Sequence, residues 1–210
     1  MNSVHSSAET AYRLFHRRSY LAAVAIALAL SGCGGDSNCL YYGTCYTVGG
    51  NLAGLLTNSS VTLQNNGSDN LTLSNNGGFS FDQTVDSSRN FTVTVLTQPV
   101  GQACTIFYAD GYGPADENVN VTCTPNRHTL GGTLNGLAPG TTVTLQNNGT
   151  NSLALAADGS FKFPTNVRYG DVYSVTVSAQ PNPPTRTCVV TNGTGTVPDG
   201  DISTVSVTCQ

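Results

Sequence analysis

The chain has 210 residues, 39% of them hydrophobic and only 10% charged, and its 8 Lys plus Arg against 12 Asp plus Glu give a net charge of −4 at neutral pH. So few bases offer no electrostatic footing on a phosphate backbone, which argues against a nucleic-acid partner. With three histidines and no tryptophan, the chain is also poor in the groups that most catalytic and metal-binding constellations need.

In chain order, Arg13, Arg17 and Arg18 precede the uncharged apolar run Leu21–Leu30. Ten residues are too few to cross a bilayer as a helix, which takes roughly 20. The segment has the form of a signal-peptide apolar region. It closes on Leu30-Ser31-Gly32-Cys33, which resembles a bacterial lipobox. The resemblance implies that residues 1–32 are a lipoprotein signal peptide and that Cys33 becomes an acylated N-terminus. Its acyl chains, palmitate among them, would then anchor the protein in a membrane. Each buried methylene adds about 0.8 kcal/mol, so several chains on one residue hold durably. Gly34, in place of an aspartate at the following position, implies the outer membrane. The alternative is an ordinary signal-peptidase site near Ala29, with Cys33 left as a free thiol. Past Cys33 there are five bases (Arg89, Arg127, Lys162, Arg168 and Arg186) against eleven acids, so the exported part carries −6.

Residues 33–45 form a tether containing Cys39 and Cys45, and beyond them the sequence repeats. VTLQNNG occupies residues 61–67 and returns at 143–149, 82 positions later. Around it Gly49-Gly50 matches Gly131-Gly132, Gly54-Leu55 matches Gly136-Leu137, Phe79 and Phe81 match Phe161 and Phe163, and Gln98-Pro99 matches Gln180-Pro181. Two domains are expected, at 46–125 and 126–210. Within each, apolar residues alternate with polar ones, the period of half-buried strands. The alternation predicts seven strands near 47–52, 60–65, 70–74, 78–83, 90–98, 103–108 and 118–124, repeated about 82 residues on. Asn66-Gly67 and Asn148-Gly149 predict tight hairpin turns, because both residues of an Asn-Gly pair tolerate positive φ.

The expected fold is therefore all-β, as two tandem seven-stranded antiparallel β-sandwich domains of immunoglobulin-like or prealbumin-like type. The sequence lacks the tryptophan and the widely spaced cysteines of true immunoglobulin domains. The run G-G-x-L-x-G-L … V-T-L … G-x-F-x-F … V-T-V resembles the prealbumin-like modules of carboxypeptidase-regulatory and collagen-adhesin B-type domains. It is also similar to the cysteine-bearing tandem repeats of secreted proteobacterial lipoproteins. Six cysteines besides Cys33 suit an oxidising compartment. The repeat makes the pairing 39–45, 104–123 and 188–209 the simplest of the fifteen possible. Metal binding by these cysteines is the rival reading, without a Cys-x-x-Cys pair or partnering histidine to support it.

No catalytic residue, cofactor or metal site is expected. His128 is the sole histidine past the signal segment, the Gly-x-Ser-x-Gly elbow is missing, and Asp116-Glu117 and Asp199-Gly200-Asp201 lack calcium-loop spacing. These acids are expected to be solvated loop residues. Lys162, the sole lysine, alternates outward between two phenylalanines, so an isopeptide cross-link is not expected either. The candidate binding residues are tyrosines on clipped or glycine-rich loops: Tyr41 and Tyr42 between Cys39 and Cys45, and Tyr108 and Tyr112 in FYADGYG. Together these features point to a lipid-anchored envelope protein with a structural, adhesive or protein-binding role. Its partner would be an envelope or extracellular protein or glycan. The alternative is glycan binding, or inhibition of a periplasmic or host hydrolase, through the Tyr108/Tyr112 loop.

Overall fold

The computed structural model describes residues 44–113, 118–183 and 186–210. Cys33, Cys39, Tyr41, Tyr42, Asp116 and Glu117 lie outside the described residues. The protein is all-β, and no helix occurs among the described residues. The first repeat contains β1 (Cys45–Ala53), β2 (Val61–Asn65), β3 (Asp69–Leu73), β4 (Gly77–Asp86), β5 (Asn90–Thr97), β6 (Gln102–Phe107), β7 (Asp110–Tyr112) and β8 (Asn118–Pro125). The second contains β9 (Arg127–His128), β10 (Leu130–Asn135), β11 (Val143–Asn147), β12 (Asn151–Leu155), β13 (Gly159–Lys162), β14 (Val167–Arg168), β15 (Val172–Ala179), β16 (Cys188–Thr191), β17 (Thr194–Thr196) and β18 (Ile202–Cys209).

In the first repeat the sheets run β4-β1-β8-β6 and β3-β2-β5-β7, and in the second β13-β10-β18-β16 and β12-β11-β15-β17. Each pair of sheets shares one core. Val48, Leu52, Phe81, Val119 and Val121 of the first sheet cluster with Val61, Leu63, Phe91 and Val93 of its partner sheet. Leu130, Leu134, Phe161, Val205 and Val207 cluster in the same way with Val143, Leu145, Tyr173 and Val175. The strand pattern carries this packing: in β8 Val119, Val121 and Cys123 are buried while the residues between them are exposed. Each fully buried Val, Leu or Phe contributes about 1.5–3 kcal/mol.

The described strands differ from the expectation in three ways. The pairing is not wholly antiparallel, because the first and last long strands of each repeat, β1 with β8 and β10 with β18, run parallel. A short extra strand also appears, β7 against the start of β5 and β17 against the start of β15. Asp-Gly-Tyr and Thr-Gly-Thr contribute backbone hydrogen bonds to an edge and little to a core, so they leave no apolar alternation in the sequence. The second repeat breaks the counterpart of β4 into β13 and β14, with Pro164 in the gap. Proline has no N–H to give a ladder, and the residue 82 positions earlier is Asp82.

The parallel ladder explains the paired glycines. A Cβ on Gly50 would lie 1.8 Å from the Val119 carbonyl oxygen, and one on Gly132 would lie 1.8 Å from that of Val205. Four residues on, Gly54 and Gly136 take positive φ (79° and 81°) close against the Cys123 and Cys209 carbonyls. The Asn-Gly turns form as expected, with φ of 49° and 70° at Asn66 and Gly67, and 51° and 70° at Asn148 and Gly149. Ser68 N–H donates to the Asn65 carbonyl at 3.2 Å, and Thr150 N–H to that of Asn147 at 3.2 Å.

Candidate functional site

Disulfides join Cys104 to Cys123 and Cys188 to Cys209, each a directly opposed pair on the β6–β8 and β16–β18 ladders, with Cα atoms 3.9 Å apart. Cys45 is also disulfide-bonded. The repeated Gln-Pro pair has its physical reason beside these cysteines. Gln98 Oε1 accepts the Cys104 N–H at 2.7 Å, and its Nε2 donates to the Cys104 carbonyl at 3.0 Å. Gln180 holds Cys188 in the same two-bonded way, at 2.8 and 3.0 Å. A side-chain amide thus stands in for a neighbouring strand at the outer edge of β6 and of β16, the edge that would otherwise invite pairing with another chain. The recurrence of Gln at the same distance from the repeated heptapeptide was the available signal.

The aromatic tip of the first repeat lies where β6 leaves one sheet and β7 joins the other. Phe107, Tyr108 and Tyr112 are 60%, 74% and 61% exposed. Tyr108 occupies the left-handed region with φ 57°, which is uncommon for a bulky residue. The following residue fixes the geometry, because the Ala109 carbonyl accepts the Val93 N–H at 2.6 Å. In the second repeat the same bend is made by Asn192 (φ 54°), and the Gly193 carbonyl accepts the Val175 N–H at 2.7 Å. Asparagine tolerates this conformation well and tyrosine does not. Of the four candidate tyrosines, Tyr108 and Tyr112 are both exposed, at the bend before β7 and at its end opposite Asn90, while Tyr41 and Tyr42 fall outside the described residues.

A separate open cleft of about 600 Å³ lies between residues 55–60 and Ser74–Asn76. Its lining of amides, hydroxyls and two leucines contains no titratable side chain.

Asp199 and Asp201 are exposed, as expected of solvated loop acids, and Asp199 in addition joins the two repeats, while Asp116 and Glu117 lie outside the described residues. Asp199 accepts Asn126 Nδ2 at 3.1 Å, the Gly101 N–H of the first repeat at 3.1 Å, and His128 Nε2 at 3.2 Å. These donors, Asn126 foremost, hold its carboxyl below the ordinary carboxylate range. Asp201 accepts the Thr129 N–H at 2.7 Å, and Thr129 likewise lowers its carboxyl. Tyr169 N–H donates to the Asn126 carbonyl at 2.9 Å, and the Tyr169 ring packs so close to Gly101 that a Cβ there would lie 2.3 Å from it. The His128–Asp199 contact becomes an ion pair when the imidazole is protonated.

Among the described residues no group of three or more His, Cys, Asp or Glu could hold a metal ion, and no helix is long and apolar enough to cross a membrane. The chain matches no model of a known protein family and no curated protein.

Proposed function

We propose that this is a lipid-anchored envelope protein in which two prealbumin-like β-sandwich domains, 46–125 and 126–210, serve a structural, adhesive or protein-binding role without catalysis. In this reading residues 1–32 are removed, Cys33 carries the lipid, and 33–45 is the tether to the outer membrane. The observation that carries it is the junction. Asp199 accepts hydrogen bonds from the Gly101 loop of the first repeat and from Asn126 of the connector at once, which links the halves into one two-domain body. Such a body suits a spacer or an adhesive stalk. Feeding cells labelled palmitate and isolating the protein tests the anchor. Label is expected on the native chain and absent from Cys33→Ser, and an unlabelled native chain overturns the anchor. Cross-linking in intact envelopes tests the role, with a protein partner expected. Turnover of a substrate by the purified protein overturns the non-catalytic reading.

A second reading, glycan binding or hydrolase inhibition by the tip loop, rests on Tyr108. An exposed aromatic is held there in a backbone conformation costly for it, and such strain concentrates at functional positions. Tyr108→Ala and Tyr112→Ala are expected to abolish glycan-array or inhibition signals of the native protein. Signals that survive both replacements rule this reading out.

A further inference from the structure

The β9–β14 ribbon has two rungs, and on one of them Arg127 stands directly opposite Arg168. Like charges facing each other on an antiparallel pair repel. Among the described residues, no carboxylate oxygen lies within 4.0 Å of either guanidinium, and the one ion pair is that of His128 with Asp199. A chain with only five bases past Cys33 thus places two of them face to face on one rung without a carboxylate partner among the described residues. The rung is peculiar to the second repeat. Its counterpart in the first pairs Cys45 with Asp86, and Asp171 takes the place of Arg89.

Both arginines line an open cleft of about 230 Å³, together with Asp171, four asparagines and two threonines. The volume is below the roughly 300–1,000 Å³ that encloses a drug-sized ligand, so the cleft suits one small ring. Two guanidinium groups and one carboxylate leave it a single net positive charge. That matches one carboxylate, which guanidinium groups grip through paired hydrogen bonds. A phosphate dianion would exceed the single net positive charge available. Asn166, the Thr150 and Thr165 hydroxyls and the Asp171 carboxylate remain as partners for vicinal hydroxyls, since Asn147 Oδ1, Asn148 Nδ2 and Asn151 Nδ2 already bond the Ser174 N–H and the Val172 and Thr165 carbonyls, and Val167 is the one apolar residue of the lining.

We propose that the Arg127/Arg168 cleft binds the carboxylate of an acidic sugar of the uronic-acid type. The site is distinct from the Tyr108 tip and stands or falls independently of it. The test is calorimetric titration of the full chain in detergent with glucuronic acid, glucose, acetate, inorganic phosphate and an aspartate-containing peptide. Glucuronic acid is expected to bind at least roughly tenfold more tightly than each of the others, and added salt should weaken it. Arg127→Gln and Arg168→Gln should each weaken it at least roughly tenfold, and Tyr108→Ala should leave it unchanged. Arg168→Asp, which installs the residue found at that rung in the first repeat, should abolish it in a folded protein. No glucuronic acid binding, undiminished binding by the arginine variants, or equal or tighter binding of phosphate, acetate or the peptide overturns the proposal.

Discussion

Single residues in this protein are constrained for different reasons, and substitutions separate them. Gly50→Ala places a methyl group on the Val119 carbonyl and is expected to cost about 3 kcal/mol or more in urea unfolding. Gly67→Ala meets no atom within 4 Å and should cost only about 1 kcal/mol, through its positive φ alone. Tyr108→Asn copies Asn192 and relieves the bend, so it should stabilise the protein by about 0.5–1 kcal/mol while removing any binding at the tip. A destabilised Tyr108→Asn would mean that the ring is packed for the fold rather than displayed. The buried Asn65 Oδ1 has no hydrogen-bond partner among the described residues, whereas Oδ1 of Asn147, at the same place in the other repeat, accepts the Ser174 N–H at 3.0 Å. In the first repeat that donor's counterpart, Thr92 N–H, is taken by Asn66 Oδ1 at 2.9 Å. Identical letters in the two heptapeptides thus hide an exchange of roles between neighbouring amides.

At the scale of elements, the disulfides and the glutamine caps act on the same strands. Replacing Cys104 and Cys123 together by alanine should cost about 3 kcal/mol, because their sequence separation is 19 and the open chain regains that loop's freedom. Gln98→Ala removes two hydrogen bonds from the edge of β6. It should cost about 1–2 kcal/mol and raise the tendency to associate, readable by light scattering. All seven expected strands of the first repeat are present, because β2, β5 and β8 bury every second residue and that period is visible in the letters. What escaped the sequence had no period to show. The parallel seam between β1 and β8 depends on which strands meet, and the β7 edge strand is held by backbone groups common to all residues. The candidate tip was legible as an aromatic difference between repeats. The Arg127/Arg168 rung was not, since the two residues are 41 positions apart and meet only through the register of β9 and β14.

Across the whole molecule, the junction ties stability to acid. Asp199, which bonds across to Gly101, has its carboxyl lowered from 3.8 in the folded protein, so its contribution is fully present above that value and fades as the pH falls through the depressed one, whereas Asp201 is lowered by Thr129 within its own repeat. In strong acid the repeats should loosen relative to each other while each core persists, seen as a rise in the radius of gyration by X-ray scattering. Asp199→Asn should weaken that response, and an unchanged acid profile in this variant would remove Asp199 from the junction's account. The parallel course of β1 and β8 has a mechanical meaning as well. The chain enters β1 at Cys45 and leaves β8 at Pro125, with Gly49 to Ala53 on one strand paired to Asn118 to Thr122 on the other. Entry and exit therefore lie at opposite ends of the same seam, and tension on the two termini shears its hydrogen bonds all at once instead of peeling them singly. The second repeat has the same seam between β10 and β18. A chain stretched between a fixed surface and a moving object would resist as two clasps in series, each yielding at a force well above that of a hairpin opened from its end.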